Sequence, residues 1–303
     1  HRVGEPLGTL VLALAITVIE VGLIASIMLG GGPGAGTLAR DTLFATVMIV
    51  CNGVVGACLA LGALRHHVLA FRVEGASQAL AALVPMVVLT LVLPSHTTTT
   101  PGPTYSHTQL AFAGSASLVV YAVFVFIQTI RHRDDFVQAD RAGVEVGAPR
   151  PSVPATWVSA LMLAPALVAV VGLAKWLAPA IERGLQSVNA PTSAAGLVVA
   201  LIVLAPESVA ALRAASRNHM QTSLNLALGS ALASIGLTIP AVAVLSVLLE
   251  KPLVLGLGPA QTVLLSMTLL LSAITLASGR AKVLHGAVHV VVFGSFLVFS
   301  FVP

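Results

Sequence analysis

Charge is what this chain has least of. Asp, Glu, Lys and Arg together make up 9% of its 303 residues, against 57% hydrophobic, and the mean hydropathy is +1.00. A soluble domain of that length needs a far more polar surface, so the composition defines a polytopic helical membrane protein. Apolar runs of about 20 residues or more exclude the short alternating strands of a membrane β-barrel. Cysteine is nearly absent too. Cys51 and Cys58 stand seven residues apart in one apolar segment, roughly 10 Å along a helix axis, too far to pair without breaking it. A signal-peptide pattern is missing, although the chain opens at His1. The Gly30-Gly31-Gly32-Pro33-Gly34 run lacks the Lys-Ser/Thr ending of a phosphate loop, so no nucleotide is expected to drive the protein. His285-Gly-Ala-Val-His289 lacks the glutamate of HExxH, which removes the metalloprotease reading. The formal charge of +4 is spread over loops rather than gathered on a face, so no nucleic-acid partner is implied.

The apolar runs predict nine spans, at about 7–29, 43–64, 75–94, 107–130, 156–178, 193–212, 221–249, 259–278 and 283–302. Pro240 should tilt or break the seventh. Sorting loops by side puts eleven of the fifteen basic residues together, including Arg65, Arg72, Arg131, Arg213, Arg280 and Lys282. Arg40, Lys175, Arg183 and Lys251 fall opposite. The richer side is therefore cytoplasmic, and it holds both the residue-1 end and the polar 131–155 loop. That loop mixes Asp134, Asp135, Asp140 and Glu145 with arginines and prolines and reads as a flexible linker. Cation sensing is its alternative role. Glu5 beside Pro6 and Asp41 beside Arg40 lie at interfacial depth and are expected to cap helices.

Two acids lie deep inside apolar segments: Glu20 in LALAITVIEVGLI and Glu207 in LIVLAPESVAAL. A carboxylate at mid-bilayer costs about 2.5–3.5 kcal/mol on insertion scales, which interior partners, water or a cation must offset. Pro206 removes a backbone donor directly before Glu207, so a kink or opening is expected there. A structural pairing of Glu207 with Arg213 is the competing explanation. Each acid helix is followed by a related element. Asn52-Gly-Val-Val-Gly56-Ala-Cys-Leu-Ala60 aligns without gaps to Asn225-Leu-Ala-Leu-Gly229-Ser-Ala-Leu-Ala233. The acids sit five spans apart, an odd offset, so the copies cross the membrane in opposite senses. Inverted repeats with a site at their interface characterise secondary transporters. The second copy has a span before its acid helix and the first has none, so a helix preceding residue 1 is expected.

Adjacent carboxylates disfavour joint ionisation, so protons and a hard cation would compete to neutralise them. Asn52 and Asn225 can add amide oxygens and Ser230 a hydroxyl, or they can simply bond helices together beside Gly56 and Gly229. Ser208 and Thr17 are weaker candidates. His285 and His289 share one helix face and suggest polar packing or a proton relay.

The runs HRVGEPLGTLVLALAITVIEV, DTLFATVMIVCNGVVG, LAPESVAAL, NLALGSALASIGLTIP and SGRAKVLHGAVHVVVF resemble the bacterial calcium/proton and sodium-potassium/proton antiporters of the calcium/cation antiporter superfamily. The resemblance spans nearly the whole chain. It implies two inverted five-helix repeats after an initial helix, with Glu20 and Glu207 at the cation- and proton-binding positions. Calcium exchangers of the wider superfamily carry Gly-Asn before each acid; here Ile16-Thr17 and Val203-Leu204 stand there, two oxygen ligands fewer.

The expectation is thus an all-α membrane protein of about nine helices, with residues 1–130 as one repeat, 131–155 as linker and 156–303 as the other. It would work in the inner membrane, with no cofactor, exchanging Ca²⁺, Na⁺ or K⁺ for protons. Lipid, cations and protons would be its partners, with a second copy of the chain possible. A cation channel and an intramembrane metal-dependent enzyme are the rivals. The channel would pass current without proton coupling, and the enzyme would need a catalytic constellation that the sequence does not display.

Overall fold

The computed structural model describes residues 4–30, 34–136 and 193–302, with scattered positions between 158 and 191. Helices dominate them. We number these α1 (Gly4–Gly30), α2 (Leu38–His66), α3 (Val73–His96), α4 (His107–Arg131), α5 (Ala194–Ser216), α6 (Met220–Leu248), α7 (Pro259–Ala277) and α8 (Val283–Phe301). Seven of these, α2 to α8, are long and apolar enough to cross a membrane, and α1 is apolar over Ala15–Leu29. Of the nine expected spans, 156–178 falls mostly outside the described residues, as does the 131–155 loop beyond Phe136. Outward-facing apolar side chains such as Phe112, Leu270 and Val291 are exposed, as a lipid-facing surface requires.

The long helices are not uniform. α2 passes through a π-helical turn at Ile49–Val54 and α6 through one at Ser234–Thr238. In α6 the cause is legible: Pro240 has no N–H to give the Gly236 carbonyl, and the wider turn just before it absorbs the misfit. The break expected near Pro240 is thus a π turn in an otherwise continuous helix. α5 stays α-helical through Pro206, so of the kink or opening expected there the helix does not open. Only one helical hydrogen bond is lost there, and dense packing of α5 against α2 and α6 holds the rest.

Loops sort onto two ends of the bundle. At one end a two-residue pair, β1 (Leu69–Ala70) with β2 (Arg280–Ala281), ties the α2–α3 loop to the α7–α8 loop. The His66 ring meets the Ser216 carbonyl there, and the Arg72 N–H donates to Gln221 Oε1. At the other end Val254 N–H bonds Gly36 O, Gly256 N–H bonds Pro103 O, and Lys251 Nζ donates to Met28 O. Asp41, at this second end, is buried with Arg40 at 2.7 Å and the Thr37 hydroxyl at 3.0 Å. The basic residues separated by loop counting are thus separated by the fold: Arg65, Arg72, Arg213, Arg217, Arg280 and Lys282 at one end, Arg40 and Lys251 at the other.

Helix directions follow from these contacts. Gly196 near the start of α5 lies against Asp41 and Thr42 near the start of α2, and Gly62 near the end of α2 lies against the Ala215 carbonyl. Helices α2 and α5 therefore run parallel. Glu20 of α1 meets Thr238 of α6, and Met28 further on meets Lys251 just beyond α6, so α1 and α6 are parallel as well. Since α1 and α2 are joined by a short loop and run oppositely, α1 and α5 are antiparallel. The two acid helices belong to halves of opposite orientation.

Candidate functional site

Helix α1 places Glu20 in the interior, 1% exposed, with its Oε2 accepting a 2.9 Å hydrogen bond from the Thr238 hydroxyl. Ser234, one turn before Thr238, faces the same carboxyl. Even so, Glu20 Oε1, Ser234 Oγ and, a further turn back, Ser230 Oγ are buried without a hydrogen-bond partner among the described residues. Residues 230, 234 and 238 are spaced by four and share one face of α6. The acid of the first half thus lies on the π turn of the second.

Glu207 lies on α5, which packs along α2 and its π turn. Asn52 lies eleven residues beyond Asp41, and Glu207 eleven beyond Gly196, along helices that run parallel and touch at Asp41 and Gly196. Both are therefore about 16 Å deep along their axes and stand at one level. Glu207 is buried, 9% exposed, and its Oε2 has no partner among the described residues. Neighbouring Ser208 is committed to the Leu204 carbonyl at 2.7 Å. An unpaired carboxylate oxygen in a buried site costs several kcal/mol, and there are two of them among the described residues, one from each half. The oxygens around Glu20 are carboxylate and hydroxyl, a set suited to hard cations. Among the described residues no three His, Cys, Asp or Glu side chains converge as a softer metal would require.

Asn52 occupies the π turn of α2 and is fully buried. Its Nδ2 donates to Thr268 Oγ1 at 2.8 Å, and its Oδ1 lies 3.1 Å from His289 Nδ1. His289 is also fully buried, with Nε2 3.1 Å from Thr275 Oγ1. His285 is not part of this chain of contacts: it is half-buried, and its Nδ1 accepts the Lys282 N–H at the start of α8.

Asn225 is not brought to the acids. Its Nδ2 donates to the Phe136 carbonyl and its Oδ1 accepts from Gln221, at the basic end of α6. The gapless pairing of Asn52 with Asn225 therefore differs from the fold, in which the π turn of α2 corresponds to Ser234–Thr238, eleven to twelve residues later than that pairing sets it. Asn-x-x-x-Gly is a spacing any close-packed membrane helix can show, and it registered packing rather than the site. Ser234 and Thr238 were missed for the same reason. Their signal was present in GSALASIGLTIP as hydroxyls at fourfold spacing before a proline. Replacing Thr238 by Val removes the one hydrogen bond to Glu20 Oε2, and the half-saturating cation concentration should rise about fivefold. Asn225→Ala, measured in parallel, should leave it unchanged.

These features define a class: a helical membrane protein of two inverted halves, each with a buried acid on a helix that packs against a π-broken helix of the other half. Residues 1–130 and 158–302 match the sodium/calcium exchanger protein family, and the chain belongs to that family. It is 44% identical, over its full length and 82% of the relative's, to y4hA of Sinorhizobium fredii, named as an ionic transporter. It is 36% identical over 99% of its length, again 82% of the relative's, to the sodium-potassium/proton antiporter ChaA of Escherichia coli. Among solved structures, native YfkE matches with a TM-score of 0.73 at 16% identity, over 97% of this chain and 88% of that one. The H⁺/Ca²⁺ exchanger CAX matches with a TM-score of 0.62 at 16% identity, over 95% and 71%.

Proposed function

We propose that the chain is a secondary active antiporter of the bacterial inner membrane, exporting Ca²⁺, Na⁺ or K⁺ in exchange for protons. The observation that carries this reading is the pair of buried acids, one from each inverted half, each with a carboxylate oxygen left without a partner among the described residues. Glu20 with Ser230, Ser234 and Thr238, and Glu207 with Asn52, form the two parts of the cation pathway. A cation neutralises the carboxylates from one side of the membrane, and protons replace it from the other. Because each acid helix packs against the opposite half, rocking of one half against the other changes both environments together. The basic end of the bundle, with its six arginines and lysines, faces the cytoplasm.

Membership of the family and the likeness to ChaA support antiport over a channel. The acids and hydroxyls leave the particular cation open among the three. Everted vesicles carrying the protein decide it: addition of Ca²⁺, Na⁺ or K⁺ to separate samples should release protons and restore the fluorescence of a pH-gradient dye for at least one cation. A proton gradient undisturbed by all three, or a cation current without proton movement, overturns the proposal.

A further inference from the structure

We infer that His289 is a positioning residue that fixes which end of the Asn52 amide is presented to the cation. The inference rests on the reading of Asn52 as a ligand at the level of Glu207. An asparagine serves a cation through its oxygen only; turned over, it offers two N–H groups and repels it. The network around Asn52 determines the orientation. On one side stand Thr268 Oγ1 at 2.8 Å and Met48 Sδ at 3.9 Å. The Thr268 hydroxyl donates to the Leu264 carbonyl at 2.8 Å, so toward Asn52 it acts as an acceptor. Both neighbours on that side therefore take N–H, and the amide nitrogen belongs there. The oxygen then faces His289 Nδ1 at 3.1 Å, which makes Nδ1 the protonated ring nitrogen and Nε2 the acceptor for the Thr275 hydroxyl. One lone pair of Asn52 Oδ1 is used by His289, and the second remains for a ligand.

Helix packing brings the histidine into place. Gly56, one turn beyond Asn52, leaves room for the His289 Cβ, and Gly286 on α8 lies against the Ala60 backbone. Helix α8 can thus approach α2 closely enough for the imidazole to reach across. His285, the other histidine of α8, is half-buried and its Nδ1 already accepts the Lys282 N–H, so it plays no part in orienting the amide. The role assigned to His289 is orientation, with no proton passed through it.

The test uses transport kinetics of the intact protein in vesicles, with the transported cation identified as above. His289→Leu keeps apolar bulk and removes both hydrogen bonds; it should raise the half-saturating cation concentration about tenfold, the size of one lost buried hydrogen bond, with the maximal rate within about twofold. His289→Asn places an amide N–H where Nδ1–H stood and should restore half-saturation to within about twofold of the parent. Thr268→Val removes the acceptor that holds the other end of the amide, leaves His289 in place, and should raise half-saturation about fivefold. Unchanged half-saturation in Thr268→Val or in a folded His289→Leu overturns the inference. So does an Asn variant as impaired as the Leu variant. Normal exchange in Glu207→Gln, measured alongside, would instead remove the underlying reading of the site.

Discussion

Glu207→Gln should abolish cation-dependent proton release in everted vesicles, by roughly a hundredfold or more, while the protein still folds. The substitution keeps the size of the side chain and its capacity for hydrogen bonds. It removes the negative charge and the exchangeable proton. Because Glu207 Oε2 has no partner among the described residues, no structural contact through it is lost. What is lost is the interaction of a buried carboxylate with a cation, worth about 3–5 kcal/mol when one member of a buried pair is removed, which is two decades or more. The pH dependence has a definite sign. A carboxyl must release its proton before a cation can take its place, so lowering the pH on the loading side should raise the half-saturating cation concentration of the parent protein. Glu20→Gln should cause the same loss of exchange, although its amide oxygen can still accept from Thr238. Ordinary exchange in both variants would mean the acids are structural.

Much of this site could be read from sequence because membranes make charge expensive. Glu20 and Glu207 are conspicuous in apolar runs, and their odd spacing in spans implied the opposed halves that the contacts of α1 with α6 and of α5 with α2 display. What stayed hidden was anything without an energetic signature along the chain. A π turn has no reserved sequence, so nothing along the chain marks where α2 and α6 correspond, and the pairing of Asn52 with Asn225 misses it by eleven to twelve positions. Hydroxyls are cheap in a membrane helix because they can bond the preceding turn, as Thr90 does with the Met86 carbonyl. Ser234 and Thr238 therefore looked like many other serines and threonines until Glu20 was seen to face them. Asn52 reaches Thr268 and His289 across separations of more than two hundred residues, which no local pattern encodes.

Gly56→Ala and Gly229→Ala should have opposite consequences, although the sequence pairs these glycines as equivalents. A Cβ on Gly56 would lie 2.7 Å from the His289 Cβ and 3.1 Å from the Val290 nitrogen. Neither neighbour can swing aside, since one belongs to the root of a buried side chain and the other to the α8 backbone. Helix α8 must retreat, at about 1–3 kcal/mol for overpacking of this kind, and the retreat lengthens the bond from His289 to Asn52. The melting temperature of the detergent-solubilised protein should therefore fall by several degrees, and exchange should weaken even though no ion-binding group has changed. At Gly229 nothing among the described residues lies within 4 Å of an added Cβ. The substitution there trades a flexible residue for the best helix former, and stability should hold or rise by up to about 1 kcal/mol. The two variants differ from the parent by the same single methyl group, so helix propensity cannot account for a difference between them. Equal melting temperatures would mean that α2 and α8 are not in the close contact on which the placement of Asn52 depends.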